Sequence, residues 1–91
     1  MSTGMLVKKM EKYAESIGYE CKIEAYGKEM AKTKSVGADI VLVGPQIRFA
    51  EKEVRANVPA EIPMFVMEMR DYGAQRADVF IEKCREMLGD K

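Results

Sequence analysis

Apolar residues recur along the first seventeen positions with the spacing of an amphipathic α-helix. One face of this helix would carry Leu6, Met10, Tyr13, Ala14 and Ile17. Ser2 or Thr3 is suited to cap the helix at its start. Gly18 follows as a C-terminal stop. The pattern therefore predicts a helix that ends near Ile17.

The next segment, YECKIEAYG, changes to strict alternation. Cys21, Ile23 and Ala25 alternate with charged residues, which is the period of a half-buried strand. We therefore expect a strand over residues 20–26. The polar segment after it, KEMAKTKSVG, predicts a short helix from about Lys28 to Ser35.

A continuous apolar run then gives the strongest strand signal in the chain. Residues 40–43, IVLV, lie between Asp39 and Gly44 and predict a strand buried on both faces, as in a parallel sheet covered by helices. A helix from about Gln46 to Asn57 is expected next, because Pro59 cannot continue it.

The last third of the chain repeats this order. Residues 62–67, IPMFVM, predict another strand, and the segment MRDYGAQ predicts a loop. An apolar stripe from Ala77 to Leu88 predicts a final helix over about residues 74–88, with Gly89 as its stop. Alternating helices and strands predict a single α/β domain over residues 1–91, a three-layer sandwich with a small parallel sheet.

Composition restricts the functional classes. The 91 residues carry 15 basic and 15 acidic side chains, so the basic excess of a nucleic-acid-binding protein is missing. No apolar run approaches the roughly 20 residues that span a bilayer. We expect a soluble, cytoplasmic protein that binds no nucleic acid and is not itself embedded in a membrane.

The residues best suited to catalysis are scarce. The chain has no His and two cysteines, Cys21 and Cys84, which fit no metal-binding spacing. One disulfide is conceivable, but a cytosolic setting favours free thiols. Both cysteines are predicted to be small buried apolar residues rather than nucleophiles. We expect neither a metal nor a cofactor.

Three segments together resemble one family. These are MSTGMLVKKMEKYA, ADIVLVGPQIRF, and DYG before the final helix. In this order they resemble the IIB component of the lactose/cellobiose branch of the bacterial sugar phosphotransferase system, over nearly the whole chain. The resemblance implies a four-stranded parallel sheet in the order 2-1-3-4. It also implies a small phosphocarrier that takes a phosphoryl group from a phosphohistidine on IIA and passes it to a sugar bound by the membrane component IIC.

In that family the carrier is a cysteine at the end of the first strand. It opens a loop of the form Cys-x-x-Gly-Met-Ser-Thr-Ser that runs into the first helix. A thiol with a pKa of about 8.5 needs help to ionise at neutral pH. The unpaired N–H groups and partial positive charge of a helix N-terminus lower that pKa and then bind the phosphoryl oxygens.

The resemblance implies two groups of site residues in this chain. The remnant of the phosphate loop comprises Met1, Ser2, Thr3 and Gly4, with Gly4 where a serine is usual. The loops of the active face comprise Gly44, Pro45 and Gln46, and Asp71, Tyr72 and Gly73. The first strand, the cysteine and the next three loop residues have no counterpart here. We therefore expect a chain that is N-terminally truncated relative to the family and has no catalytic residue of its own.

Three functional hypotheses follow. The chain is a IIB phosphocarrier without its first strand, or a non-catalytic IIB-like binding or regulatory module, or an unrelated α/β domain that binds an anion or nucleotide. Loss of a central strand would also leave unpaired backbone groups in the sheet, at a cost of roughly 1–3 kcal/mol each. We therefore expect strand 20–26 to pair directly with strand 39–43, or a second chain to fill the exposed sheet edge and form a dimer.

Overall fold

The computed structural model describes residues 3–90. The chain divides into two compact units. The first unit combines the N-terminal residues up to Ala25 with the C-terminal residues from Arg70 onward, and the second unit spans Tyr26–Met69.

Two long helices form the first unit. Helix α1 spans Thr3–Ser16 and packs against the last helix, α5, which spans Ala77–Leu88. The facing sides bury Leu6, Met10 and Ala14 of α1 and Ala77, Phe80, Ile81 and Cys84 of α5. Both predicted apolar stripes are confirmed for these residues, whereas Ile17 and Met87, which were predicted to belong to them, are exposed. Helix α5 begins at Ala77 rather than near residue 74.

Glycines end both of these helices, as predicted. Gly18 and Gly89 have φ values of +70° and +72°, a left-handed conformation that costs other residues energy. In each case the residue after the glycine donates its N–H back into the helix, Tyr19 to the Ala14 carbonyl at 2.8 Å and Asp90 to the Arg85 carbonyl at 2.8 Å. These bonds satisfy carbonyls that the helix itself leaves unpaired.

The strand predicted for residues 20–26 is wrong, because residues 19–27 have no regular secondary structure. Alternation alone cannot make a strand without a neighbouring strand to bond. Tyr19 instead contacts α5 and Asp90, which follows that helix. Its hydroxyl donates to Asp90 Oδ2 at 2.8 Å, and the Arg85 guanidinium lies 5.4 Å from the ring centre. Burial, reinforced by the bond to Asp90, raises the pKa of Tyr19 to about 12.

The second unit contains a parallel pair of short strands. Strand β1 spans Val41–Val43 and pairs with β2, Met64–Val66, in the register Val41↔Met64. The Met67 N–H extends the ladder to the Val43 carbonyl at 2.8 Å. The predicted α/β class with a small parallel sheet is therefore confirmed, although both strands are shorter than predicted.

The expected direct pairing of residues 20–26 with the buried strand is wrong. Among residues 3–90, β1 has β2 as its strand partner. A second chain along the sheet edge, the other expectation, stays a prediction.

Helices and one apolar cluster complete the second unit. The predicted helix at residues 28–35 is a 3-10 turn, Lys28–Met30, followed by α2, Ala31–Lys34. The predicted helix after β1 is a 3-10 segment, Pro45–Ala50, followed by α3, Glu51–Asn57. Ile47 (φ −119°, ψ 23°) interrupts the regular helix. The cluster comprises Val43, Ala50, Val54, Val58 and Ile62.

The predicted loop MRDYG is instead a short helix, α4, Met69–Gly73. Its end is fixed by a tight turn in which the Gln75 N–H donates to the Tyr72 carbonyl at 3.0 Å and the Arg76 N–H to the Asp71 carbonyl at 2.9 Å. Gln75 has a φ of +54°, unusual for a residue other than glycine. None of the helices described is long and apolar enough to cross a membrane.

Candidate functional site

The start of α1 is the first part of the candidate site. Thr3 is the first helical residue described, and Gly4 beside it is exposed to solvent. The first turn contains no acidic side chain that would compete for its backbone N–H groups. Such groups lack helical partners and carry a partial positive charge, so this turn suits an anion. Met1 and Ser2, the other residues of the predicted phosphate-loop remnant, lie outside the described residues.

A side-chain hydrogen bond brings two predicted site residues together. Thr3 Oγ1 and the Tyr72 hydroxyl are 2.8 Å apart and partly buried, and either oxygen can be the donor. The bond joins the first turn of α1 to α4. Of the two residues that flank Tyr72, Asp71 is half-buried and Gly73 is exposed. The segment Asp71–Gly73 therefore lies on a helix rather than in the predicted loop, yet its tyrosine reaches the predicted phosphate-loop remnant.

The remaining predicted residues, Gly44, Pro45 and Gln46, lie at the start of the 3-10 segment that follows β1, rather than in a loop, and belong to the second unit. Pro45 is buried and Gln46 is exposed. A Cβ added to Gly44 would lie 2.7 Å from the Gln46 Oε1 atom, so the glycine leaves room for that side chain.

Gln75, which follows α4, is a residue near the candidate site that the sequence analysis did not predict. Its positive φ sets the turn that ends α4, and its Nε2 atom is buried without a hydrogen-bond partner. No local pattern marks Gln75 for this role, because glycine or asparagine is the usual residue in such a conformation.

The two thiols differ in exposure. Cys84 is buried, as predicted, whereas Cys21 is exposed, so the prediction of a buried Cys21 is wrong. Cys21 is exposed because the strand predicted for residues 20–26 does not form, so no sheet covers its side chain. Both cysteines are free, as expected.

Neither thiol is activated by its surroundings. Burial, with a smaller effect of Cys21, raises the pKa of Cys84 to about 11. Desolvation, with a smaller effect of the Glu11 carboxylate, also raises the pKa of Cys21. An acceptor thiol needs the opposite shift. In addition, residues 3–90 contain no cluster of His, Cys, Asp and Glu suited to a metal ion.

Thiol titration checks these environments. We expect the native chain at pH 8 to react with a disulfide reagent at Cys21 alone, and Cys84 to react only after unfolding, because Cys84 is both inaccessible and largely protonated. Cys21→Ser should abolish the native reaction and leave the reaction in denaturant. Rapid modification of Cys84 in the folded Cys21→Ser protein would contradict this assignment.

Comparison with known proteins identifies the class. The family model for the lactose/cellobiose-specific IIB subunit of the phosphotransferase system matches residues 1–83. The chain belongs to this family and is a sugar-specific IIB component, which implies interaction with IIA and IIC components. Membership does not support the alternative of an unrelated anion- or nucleotide-binding domain.

Relatives with assigned sugars fall in the same family. The chain is 43% identical over 74 residues to the oligo-beta-mannoside-specific EIIB component of Bacillus subtilis (strain 168), an alignment that covers 80% of this chain and 72% of the relative. It is 35% identical to the galactose-specific EIIB component of Lactococcus lactis subsp. cremoris (strain MG1363), over 97% of this chain and 87% of the relative. The cellobiose-specific EIIB component of Lactococcus lactis subsp. lactis (strain IL1403) is also 35% identical, with the same coverage.

Proposed function

We propose that this protein is a cytoplasmic phosphocarrier that accepts a phosphoryl group from the phosphohistidine of a IIA component and transfers it to a sugar at a IIC component. The observation that carries the proposal is the first turn of α1. It is free of acidic side chains and is joined to the predicted active-face segment through the 2.8 Å bond between Thr3 and Tyr72.

The physical role of this turn is electrostatic. In the transfer, the P–N bond to the IIA histidine breaks as a P–S bond to the carrier thiolate forms, and the transferred group keeps its negative charge. Helix N–H groups stabilise first the thiolate and then the phosphoryl oxygens. Gly4 leaves the backbone accessible to such an anion. Met1 and Ser2 would complete the loop, and the segment Asp71–Gly73 would border it.

The acceptor thiol is neither Cys21 nor Cys84 in this proposal. Both have a raised pKa, and Cys84 is buried. The acceptor is instead the cysteine that opens the family's loop, four positions before the methionine of Met-Ser-Thr and outside these 91 residues. The chain alone would then bind partners without taking up phosphate.

Phosphorylation by a cognate IIA donor tests the proposal. The 91-residue chain and a version extended upstream by its encoded residues are each incubated with phosphorylated IIA, and bound phosphate is measured by intact-mass spectrometry and phosphorus NMR. We expect a thiol-linked phosphoryl group on the extended version alone. Uptake by the 91-residue chain that is lost in Cys21→Ser or Cys84→Ser would contradict the assignment of the acceptor.

The same experiment distinguishes the phosphocarrier from the alternative, a non-catalytic IIB-like regulatory module. That alternative predicts that both versions bind IIA and that neither accepts phosphate. The raised pKa values of Cys21 and Cys84 are compatible with it, so the extended version decides between the two functions.

A further inference from the structure

The contact between Thr3 and Tyr72 joins residues 69 positions apart in the chain. The first turn of a helix is its least constrained part, because its N–H groups lack helical partners and the terminal turn frays. Here that turn is bonded to a helix whose own end is fixed by the backbone bonds from Gln75 to Tyr72 and from Arg76 to Asp71. The bond therefore ties the first turn of α1 to a segment that has backbone hydrogen bonds of its own.

We propose that Tyr72 is a positioning residue for phosphoryl transfer, which acts through Thr3 on the first turn of α1. The inference rests on the proposed function. The bond restricts the rotation of the Thr3 side chain, whichever of the two hydroxyls is the donor. Tyr72 therefore holds the Thr3 side chain and the adjacent N–H groups in the orientation that a thiolate or phosphoryl group requires.

Removal of either hydroxyl should have the same kinetic effect. In the extended protein, Tyr72→Phe and Thr3→Val should each lower the kcat for phosphorylation by IIA about three- to tenfold, the factor that corresponds to the net free energy of one hydrogen bond. KM for IIA should stay unchanged. The double variant should react no more slowly than the slower of the two single variants. Each of the three variants loses the same hydrogen bond between Thr3 and Tyr72. Thr3→Ser keeps the hydroxyl and should retain most of the rate.

A second readout distinguishes positioning from a general loss of stability. The pKa of the acceptor thiol, measured from the pH dependence of its alkylation rate, should rise in Tyr72→Phe because the N–H groups are less well aimed. Tyr13→Phe is the matched control. It removes the 2.7 Å bond from the Tyr13 hydroxyl to Glu82 Oε2, further along α1, and should change neither the kcat nor the thiol pKa.

The outcomes separate the two proposals. If the unsubstituted extended protein takes up no phosphate, the proposed function fails and this inference fails with it. If that protein is phosphorylated but Tyr72→Phe reacts at the same rate with the same thiol pKa, only the inference is rejected. It is also rejected if Tyr13→Phe and Tyr72→Phe lower the rate equally, because the effect would then follow stability alone.

Discussion

Phe80→Ala is expected to lower the free energy of unfolding by about 3–5 kcal/mol, the usual cost of removing a buried aromatic ring. Phe80 is 2% exposed on the face of α5 that packs against α1. Domains have only about 5–15 kcal/mol of stability, so the loss is a large part of the total. Urea denaturation followed by far-ultraviolet circular dichroism measures it.

Phe49→Ala is the matched control for this substitution. Phe49 is 79% exposed, so the same truncation leaves no cavity and should change stability by no more than about 0.5 kcal/mol. Equal losses in the two variants would show that Phe80 does not lie in a packed core.

Val43→Asp should destabilise the second unit by more than about 3 kcal/mol, because an unpaired carboxylate is buried among apolar side chains. Val43 is 2% exposed and belongs to the apolar cluster beside β1. Burial raises the pKa of the introduced carboxyl, so the folded state favours its protonated form. The loss of stability should therefore be smaller at pH 4 than at pH 7, measured as the difference from the unsubstituted protein at each pH.

Val36→Asp serves as the control, because Val36 belongs to the same unit and is 71% exposed. Its carboxylate stays hydrated, so little change in stability is expected at either pH. A Val43→Asp protein as stable as Val36→Asp would contradict the burial of Val43.

Periodicity was sufficient for the elements whose formation depends on local sequence. Helices α1 and α5 each present one apolar stripe, and Gly18 and Gly89 mark their ends, so residues near in sequence determine both the face and the boundary. The apolar run before Gly44 likewise identified β1. These features, together with the alternation of helices and strands, were enough to predict the α/β class.

Two segments of the chain were not predicted correctly. The alternation around Cys21 has the period of a strand, but a strand also needs a neighbour to bond, and Tyr19 instead contacts α5 and Asp90. The helix α4 ends in a turn in which the backbone of Gln75 is left-handed. No local sequence pattern predicts that conformation for a glutamine. Sequence alone therefore gave the wrong exposure for Cys21 and a loop in place of α4.

Two residues of the candidate site are in contact in the structure, and the sequence did not predict that contact. The resemblance pointed to Thr3 and Tyr72 separately, and their hydroxyls are hydrogen-bonded in the structure. No property of either residue indicates that contact, because it depends on how α1 and α4 are arranged within the first unit. The other predicted site residues remain predictions: Gly4, Gly44, Pro45, Gln46, Asp71 and Gly73.

The hydrogen bond between Thr3 and Tyr72 also provides an intrinsic spectroscopic probe. With four tyrosines and no tryptophan, its near-ultraviolet absorption comes chiefly from phenol rings. The absorption of a phenol shifts when its hydrogen bond is altered, and the Tyr72 ring is bonded to the first turn of α1. An ultraviolet difference spectrum can therefore detect changes in the hydrogen bonding of Tyr72 at that turn without an attached dye. The Tyr72→Phe variant, which lacks this hydroxyl, is the reference.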